Sequence, residues 1–484
     1  MATSSLTPRW SVHLAPDMAG KLLHHLFPGD GDEHGAVLGV SIVETDRGVR
    51  LLGRRLYLAE DGSDYVEGTR GYRMLTAMFV RDRILDCERE GLGYLAIHCH
   101  GGTNTVAFSG DDLASHERGY PALLDILGGQ PVGALVFARD AVAGDIWLPD
   151  SRHVELDHAR LLGSPIRELR SAPSAASASD PTFDRQSRLF GDRGQAMLSR
   201  QKVGVIGAGG AGSLVIEYLA RLGVGHLVVV DPERIEASNL PRIVGSRRRD
   251  TWPWLTNPSR QVLLRKLGDR ISTTKVKIAE RVANQANPKI RFEAIHDDVT
   301  RDAVVERLID CDYLILAADS AQARLVVNAV VHQYLIPGVQ VGAKVQLGDD
   351  GKILDIFSVV RPMNPGESCL WCNQLISPAH LQDEALTPVQ RRQQRYVEDD
   401  DVHAPSVITL NALAAAHAVN DYLITTVGLV GADWDRRWSR FHPATPNAVD
   451  RVVTEQPRRD PDCRECGRDG RLGAGRAQRL PVRP

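Results

Sequence analysis

An α/β fold in at least two domains follows from three features of this 484-residue chain. An apolar run at 202–207 leads straight into a glycine turn, Gly207-Ala208-Gly209-Gly210-Ala211-Gly212. Strand-like and helix-like segments then alternate as far as residue 333, the pattern of a mostly parallel sheet covered on both faces. The stretch RELRSAPSAASASDPT at 167–182 is rich in Ser, Ala and Pro and poor in large apolar residues, so it reads as a connector. A chain of this length is too long for one ordinary core and suits two or three domains.

The elements follow in order. Within residues 1–162 the run HGAVLGVSI at 34–42 predicts a strand, and 93–98 another. A helix is expected from 112 through 119 and a buried strand at 131–138, so this first domain is itself α/β or α+β. Residues 163–182 form the expected linker. The second domain, 183–470, carries predicted strands at 202–207, 226–230, 291–296 and 313–317. Its predicted helices lie at 213–222, 276–286, 303–308, 326–333 and 409–423. The polar stretch 384–403, with Glu398-Asp399-Asp400-Asp401, reads as a surface loop, and 471–484 as a flexible tail. The chain shows no internal repeat.

Composition narrows the function classes. Hydrophobic residues make up 43% of the chain, as in a folded soluble protein, and the net charge of −3 provides no basic field for nucleic acid. The clusters Arg247-Arg248-Arg249 and Arg391-Arg392 are short enough to be solvated surface. No run of eighteen apolar residues and no signal-like N-terminus is present, so a cytoplasmic protein without a membrane span is expected. Of seven cysteines, four form the pairs Cys369/Cys372 and Cys463/Cys466. In a reducing compartment that pattern favours a metal over disulfides.

Two groups of residues carry chemistry. The first is His98-Cys99-His100, followed by Ser109 and Asp112. Two histidines one residue apart share one side of an extended segment, and a carboxylate at a following helix start completes three ligands for zinc with an open fourth position. Such a metal lowers the pKa of bound water and polarises a carbonyl. Glu33 is the candidate base, and the Ser109 hydroxyl the candidate oxyanion donor. The competing reading makes His98 and His100 ordinary strand residues and Asp112 the cap of the next helix. The arrangement resembles the JAB/MPN metalloproteases, which remove ubiquitin or ubiquitin-like tails. Glu33 through Gly39 resembles their glutamate strand, and the resemblance implies zinc on His98, His100 and Asp112, Glu33 as general base and Ser109 at the oxyanion. Here Gly101 follows the second histidine where that family has proline, and the loop from His100 to Ser109 is one residue longer.

The second group begins with the glycine turn, whose amides can approach a phosphate at a helix N-terminus. Asp231 ends the next strand, where a carboxylate can hold ribose hydroxyls. By themselves these two features fit NAD, FAD or ATP. Asn239, Arg242, Lys275, Asp319 and the upstream Arg185 add cationic groups and a carboxylate, a set suited to a triphosphate with Mg²⁺. In this order they resemble the E1-like adenylating enzymes of ThiF and MoeB type over residues 183–466. Phe183-Asp184-Arg185-Gln186 resembles their opening motif, whose arginine enters the neighbouring subunit's ATP site, so the resemblance implies a homodimer. It also implies nucleotide contacts from Gly207, Gly209, Gly210, Gly212, Asp231, Asn239, Arg242 and Lys275. Mg²⁺ would lie on Asp319, and a structural Zn²⁺ on Cys369, Cys372, Cys463 and Cys466.

Together the two resemblances imply one enzyme that trims a small ubiquitin-like or sulfur-carrier protein and adenylates its C-terminal glycine. The alternative is adenylation of a peptide or small-molecule carboxylate, with the first domain a degenerate binding scaffold. Related enzymes place a thioester cysteine between the first zinc pair and the late helix. Residues 373–406 contain none, so a separate conjugating enzyme or sulfur donor is the expected acceptor.

Overall fold

The computed structural model describes residues 9–68, 73–150, 152–173, 180–347, 352–385, 405–431, 436–443 and 451–483. Two compact units emerge. The first comprises 1–175 with the short returns 332–335 and 461–479. The second comprises 176–331, 336–460 and 480–484.

In the first unit the strands are β1 (Arg9–Leu14), β2 (Gly35–Thr45), β3 (Gly48–Leu58), β4 (Gly93–Cys99), β5 (Val132–Ala138), β6 (Ala141–Trp147), β7 (His153–Leu161) and β8 (Arg167–Leu169). They form one sheet in the order β1-β3-β2-β4-β5-β6-β7-β8, and β1 also pairs with β7, so the sheet closes on itself. Helices α1 (Pro16–Leu26), α2 (Ala77–Glu90) and α3 (Gly110–Leu127) pack around it. One core cluster gathers Leu22 of α1 with Val12, Leu38, Leu51 and Phe137, and a second gathers Phe79, Ile84, Tyr120 and Leu124 of α2 and α3 with Val37 and Tyr94. Strands β4 and β5 are buried almost throughout, which explains why unbroken apolar runs marked them. Helix α3 extends eight residues past its expected end, carrying Pro121 inside it, and stops at Gly128 in the left-handed conformation.

Two boundary expectations fail here. Residues 167–169 are not linker; they add strand β8 to β7, while 174–179 lie outside the described residues. The expected flexible tail is instead held. Leu472 and Ala474 are buried, the Leu472 carbonyl accepts from Arg54 at 2.6 Å, and Arg468 pairs with Asp17 at 2.6 Å. The segment 461–479 therefore belongs to the first unit rather than to a domain running 183–470. Glycine and arginine content suggested fraying because it hides a few apolar anchors and carbonyl acceptors.

The second unit has strands β9 (Lys202–Ile206), β10 (His226–Val230), β11 (Arg291–Ile295), β12 (Tyr313–Leu316), β13 (Gly338–Leu347), β14 (Ile353–Met363), β15 (Trp438–Phe441) and β16 (Val452–Glu455). Their order is β11-β10-β9-β12-β13-β14-β15-β16. The first five are parallel and the last three add antiparallel. The helices are α4 (Asp184–Arg200), α5 (Gly210–Arg221), α6 (Pro253–Thr256), α7 (Val262–Ile271), α8 (Lys275–Ala286), α9 (Asp302–Leu308), α10 (Ala321–Gln333), α11 (Pro378–Ala385) and α12 (Ile408–Val427). The four predicted parallel strands and their helices are present within a few residues. The acidic run 398–401 and Arg391-Arg392 lie outside the described residues. From β9 the chain moves to β10 and β11 on one side, then crosses to β12 on the other. The carboxyl ends of β9 and β12 thus flank a topological switch point, where open α/β sheets bind ligands.

A buried polar network ties α12 to this sheet. Asp421 accepts both from the Arg436 guanidinium, at 2.9 and 3.0 Å through Nε, and from the Tyr313 hydroxyl at 3.2 Å. Arg436 also donates to Asn364 and Tyr313. Burial without partners would be costly for each of these groups, so the network works only as a whole. Asp421→Ala strands a buried arginine, and it should lower unfolding stability by about 3–5 kcal/mol, read from the urea midpoint. Tyr313→Phe, which leaves the ion pair in place, should cost only about 1–2 kcal/mol.

Candidate active sites

In the first unit, β2 and β4 pair antiparallel with Gly35 opposite His98. That register brings Glu33, just ahead of β2, beside the residues that follow β4. Side chains alternate along β4, so Cys99 turns away from the two histidines. It is buried, with its sulfur against the Leu26 carbonyl at 3.1 Å and the His34 amide at 3.2 Å. His100 is fixed by its backbone N–H on the Phe137 carbonyl at 2.9 Å and by Nδ1 on the Ala107 carbonyl at 3.1 Å. A protonated Nδ1 donating there leaves Nε2 as the free lone pair, the arrangement that second-sphere partners impose on metal-binding histidines.

The ligand atoms converge. His98 Nε2 and His100 Nε2 are 3.2 Å apart, and Asp112 Oδ2 lies 3.6 and 3.5 Å from them. Tetrahedral zinc ligands held at about 2.0–2.1 Å are separated by about 3.3 Å, so these three edges fit a zinc ion. Glu33 Oε1 stands 3.8 Å from His100 Nε2. Burial raises the Glu33 carboxyl above its ordinary value, partly offset by His100 and His98. Burial acts the same way on Asp112, but its contacts with His98 and Ser109 outweigh it and hold that carboxyl far below the ordinary range.

Asp112 also does what the competing reading assigned to it. Ser109 is the N-cap of α3, its Oγ accepts from the Asp112 amide at 3.1 Å, and the Asp112 carboxylate accepts from the Ser109 amide at 2.8 Å. This is a capping box with aspartate in the third position. The Ser109 hydroxyl donates to Asp112 Oδ2 at 2.7 Å. Capping and convergence on the histidines are therefore properties of one side chain, not rival readings.

In the second unit the glycine turn occupies the switch point. Gly207 has φ +97°, and a Cβ there would stand 3.0 Å from the Ala317–Ala318 peptide that follows β12. A Cβ on Gly212 would meet the Gly207 carbonyl oxygen at 1.9 Å. Nothing lies within 4 Å of the corresponding point on Gly209, so the turn's outer face is open above the first amides of α5. Open backbone amides at the start of a twelve-residue helix are what a phosphate requires.

The other expected residues fall at several places in this unit. Asp231 is buried at the end of β10, where it accepts from the amides of Ala208 at 2.7 Å and Glu233 at 2.8 Å. Burial raises its carboxyl, with Lys275 and those two amides pulling the other way. The carboxylate thus braces the turn. Lys275 opens α8 behind the N-cap Thr274, and its ammonium pairs with Glu233, a partner that no motif had singled out. Asn239 is buried and its Oδ1 accepts from the Glu236 amide at 3.3 Å. The loop after it is fastened to α5 by the Val244 amide on Ser213 Oγ at 3.1 Å, which keeps Arg242 beside Gly210. Asp319 is exposed in the loop leaving β12. Arg185 is exposed in the first turn of α4 and joins none of these contacts.

The remaining expected ligands are the four paired cysteines. Cys369 and Cys372 lie in the second unit, and Cys463 and Cys466 in the 461–479 return of the first; thiolate pairs of this kind are a donor type suited to zinc. The other three cysteines, Cys87, Cys99 and Cys311, are buried. Burial, with Asp86 and Glu90 nearby, pushes the Cys87 thiol up to about 12.

Comparison with known proteins agrees with the second unit. The chain is 33% identical over 160 residues to the SAMP-activating enzyme E1 of Haloferax volcanii, covering 32% of this chain and 52% of the relative. It is 33% identical over 138 residues to the sulfur carrier protein adenylyltransferase of Thermus thermophilus, covering 28% and 44%. To the sulfur carrier protein ThiS adenylyltransferase of Bacillus subtilis it is 29% identical over 204 residues, covering 40% and 54%. The chain spans about half the length of these curated relatives. Among solved structures, Escherichia coli MccB superposes with a TM-score of 0.44 at 17% identity, over 61% of this chain and 75% of that one. The family model described as "ThiF family" matches residues 183–251 and 254–432, just over half of the sequence. On that match, the chain belongs to the ThiF family.

Proposed function

We propose that this chain adenylates the C-terminal carboxylate of a small ubiquitin-like or sulfur-carrier protein, using ATP and Mg²⁺, and that its first unit trims or releases such tails. The observation that carries the first half is the open glycine turn at the switch point, with Asp231 bonded to its Ala208 amide and Arg242 beside Gly210. Family membership and the resemblance to SAMP-activating and sulfur-carrier adenylating enzymes favour the same substrate class.

In this reading the amides of Gly209, Gly210 and the start of α5 hold phosphate oxygens, with Asp231 at the ribose and Asn239 and Arg242 at the phosphates. Lys275 neutralises charge that builds as a carboxylate oxygen bonds to the α-phosphorus and the bond to the β-phosphate breaks. Pyrophosphate leaves with that electron pair. Mg²⁺ on Asp319 supplies further charge neutralisation when bound. Arg185, exposed on α4, completes the site of a neighbouring copy in a homodimer. The acyl-adenylate then passes to an acceptor outside the chain, a separate conjugating enzyme or a sulfur donor.

The first unit acts as a JAB/MPN-type zinc peptidase, a reading supported by ligand separations of 3.2, 3.5 and 3.6 Å. Zinc on His98, His100 and Asp112 supplies a Lewis acid and a water of lowered pKa when bound. Glu33, whose carboxyl is raised by burial, would serve as the general base and acid, holding a proton at its carboxylate between the attacking water and the leaving amine. The Ser109 hydroxyl, which donates to Asp112 Oδ2 in the structure, would turn from that carboxylate to donate to the substrate's oxyanion. A second zinc on the four cysteines is structural.

ATP–pyrophosphate exchange that requires a candidate carrier protein is the expected result, and exchange supported by a small acid alone would remove the carrier from this reading. Lys275→Ala and Asp319→Ala should each lower exchange by about 100-fold or more. Metal analysis should find about two zinc per chain, falling to about one in His98→Ala. Glu33→Ala should keep its zinc and lose tail cleavage; cleavage equal to wild type in both variants would exclude a peptidase.

A further inference from the structure

Gly210, the first residue of α5, is constrained by a side chain two hundred residues away in sequence. A Cβ at Gly210 would stand 2.2 Å from Asn411 Nδ2 and 3.0 Å from Asn411 Cγ, with Arg242 Cδ next at 3.6 Å. Asn411 lies in the first turn of α12 and is 5% exposed, so its carboxamide is packed against the same helix start that the glycine turn leaves open. Its Nδ2 donates to Ser406 Oγ at 3.1 Å. A carboxamide nitrogen carries two hydrogens, and that bond uses one.

Burying an amide here costs more than burying an isosteric leucine unless its polar atoms are used. The polar choice is explained by what else collects at this point. The α5 amides and the Arg242 side chain all favour an anion, and a second N–H beside them adds a neutral donor without further charge repulsion from Arg242.

We propose that Asn411 is a phosphate-contacting residue of the nucleotide site. Its Nδ2 keeps Ser406 with one hydrogen and gives the other to a non-bridging phosphate oxygen at the first turn of α5, beside Arg242. The proposal rests on the nucleotide reading given above and extends it to a residue outside the glycine motif.

Calorimetric titration of the full-length protein with Mg·ATP and, separately, with adenosine tests it. Asn411→Ala should weaken Mg·ATP about tenfold. Asn411→Asp, of nearly equal volume, should weaken it more, because a carboxylate repels the phosphates. Adenosine should bind both variants within about twofold of wild type, since it offers no phosphate. Unchanged Mg·ATP affinity in Asn411→Asp would overturn the proposal. Equal weakening of Mg·ATP and adenosine would also overturn it, assigning Asn411 a purely structural role. Failure of the wild-type protein to bind Mg·ATP would instead strike the nucleotide reading itself.

Discussion

The second unit depends on one backbone contact. Residue 212 can have no Cβ because the Gly207 carbonyl oxygen occupies its place, and residue 207 itself takes a φ that side-chain-bearing residues rarely adopt. These two facts let α5 start directly on top of β9. With the helix so close, its first amides face the cleft between β9 and β12 rather than solvent at large. Asp231 then reaches back from β10 to hold the Ala208 amide, and the 239–244 loop hangs on Ser213 of the same helix. Had the helix begun even one turn further out, Arg242 and Asn411 would have no common neighbour.

The first unit solves an analogous problem by different means. There a helix start again presents a charged group to a cleft, but the group is a side chain. The Asp112 carboxylate must both satisfy the Ser109 amide and lie within 3.6 Å of two imidazoles. A capping box fixes its rotamer, and the β2–β4 register fixes the histidines and Glu33. Local capping energy thus positions a candidate metal ligand, which is why the loop one residue longer than its resemblance suggests does not displace it. The additional residue is absorbed between His100 and Ser109, where the His100 ring holds the Ala107 carbonyl.

What could be read from sequence follows from how local each signal is. The parallel strands announce themselves because both of their faces are buried, and the glycine turn because its spacing is dictated by sterics within six residues. His98, His100, Asp112 and Ser109 were visible for the same reason, being within fifteen residues of one another. Asn411 was not legible, because its meaning arises only when α12 packs on α5. Glu233 was hidden likewise, an acidic residue among many until Lys275 pairs with it. The end of the chain misled for the opposite reason. Its glycines and arginines look solvated, yet Leu472 and Ala474 anchor it and the arginines find carboxylates and carbonyls in the first unit. Strand β8 was misread because a three-residue strand cannot outweigh the Ser/Ala/Pro-rich residues behind it.

The cysteine inventory constrains where an activated carboxylate can go. All seven thiols lie among the described residues. Four are the zinc ligands of the proposed reading, and committing any of them to a thioester would break that set. Cys311 and Cys99 are buried, and Cys87 is buried with a thiol raised to about 12, so at neutral pH it supplies almost no thiolate to attack an acyl-adenylate. A nucleophile must be reachable, and the three cysteines outside that set are all buried. On the proposed reaction, then, the adenylate's acceptor carries its own nucleophile. The mixed anhydride has to remain shielded from water until that partner docks, which puts the demand on the groups around the glycine turn rather than on a cysteine of this chain.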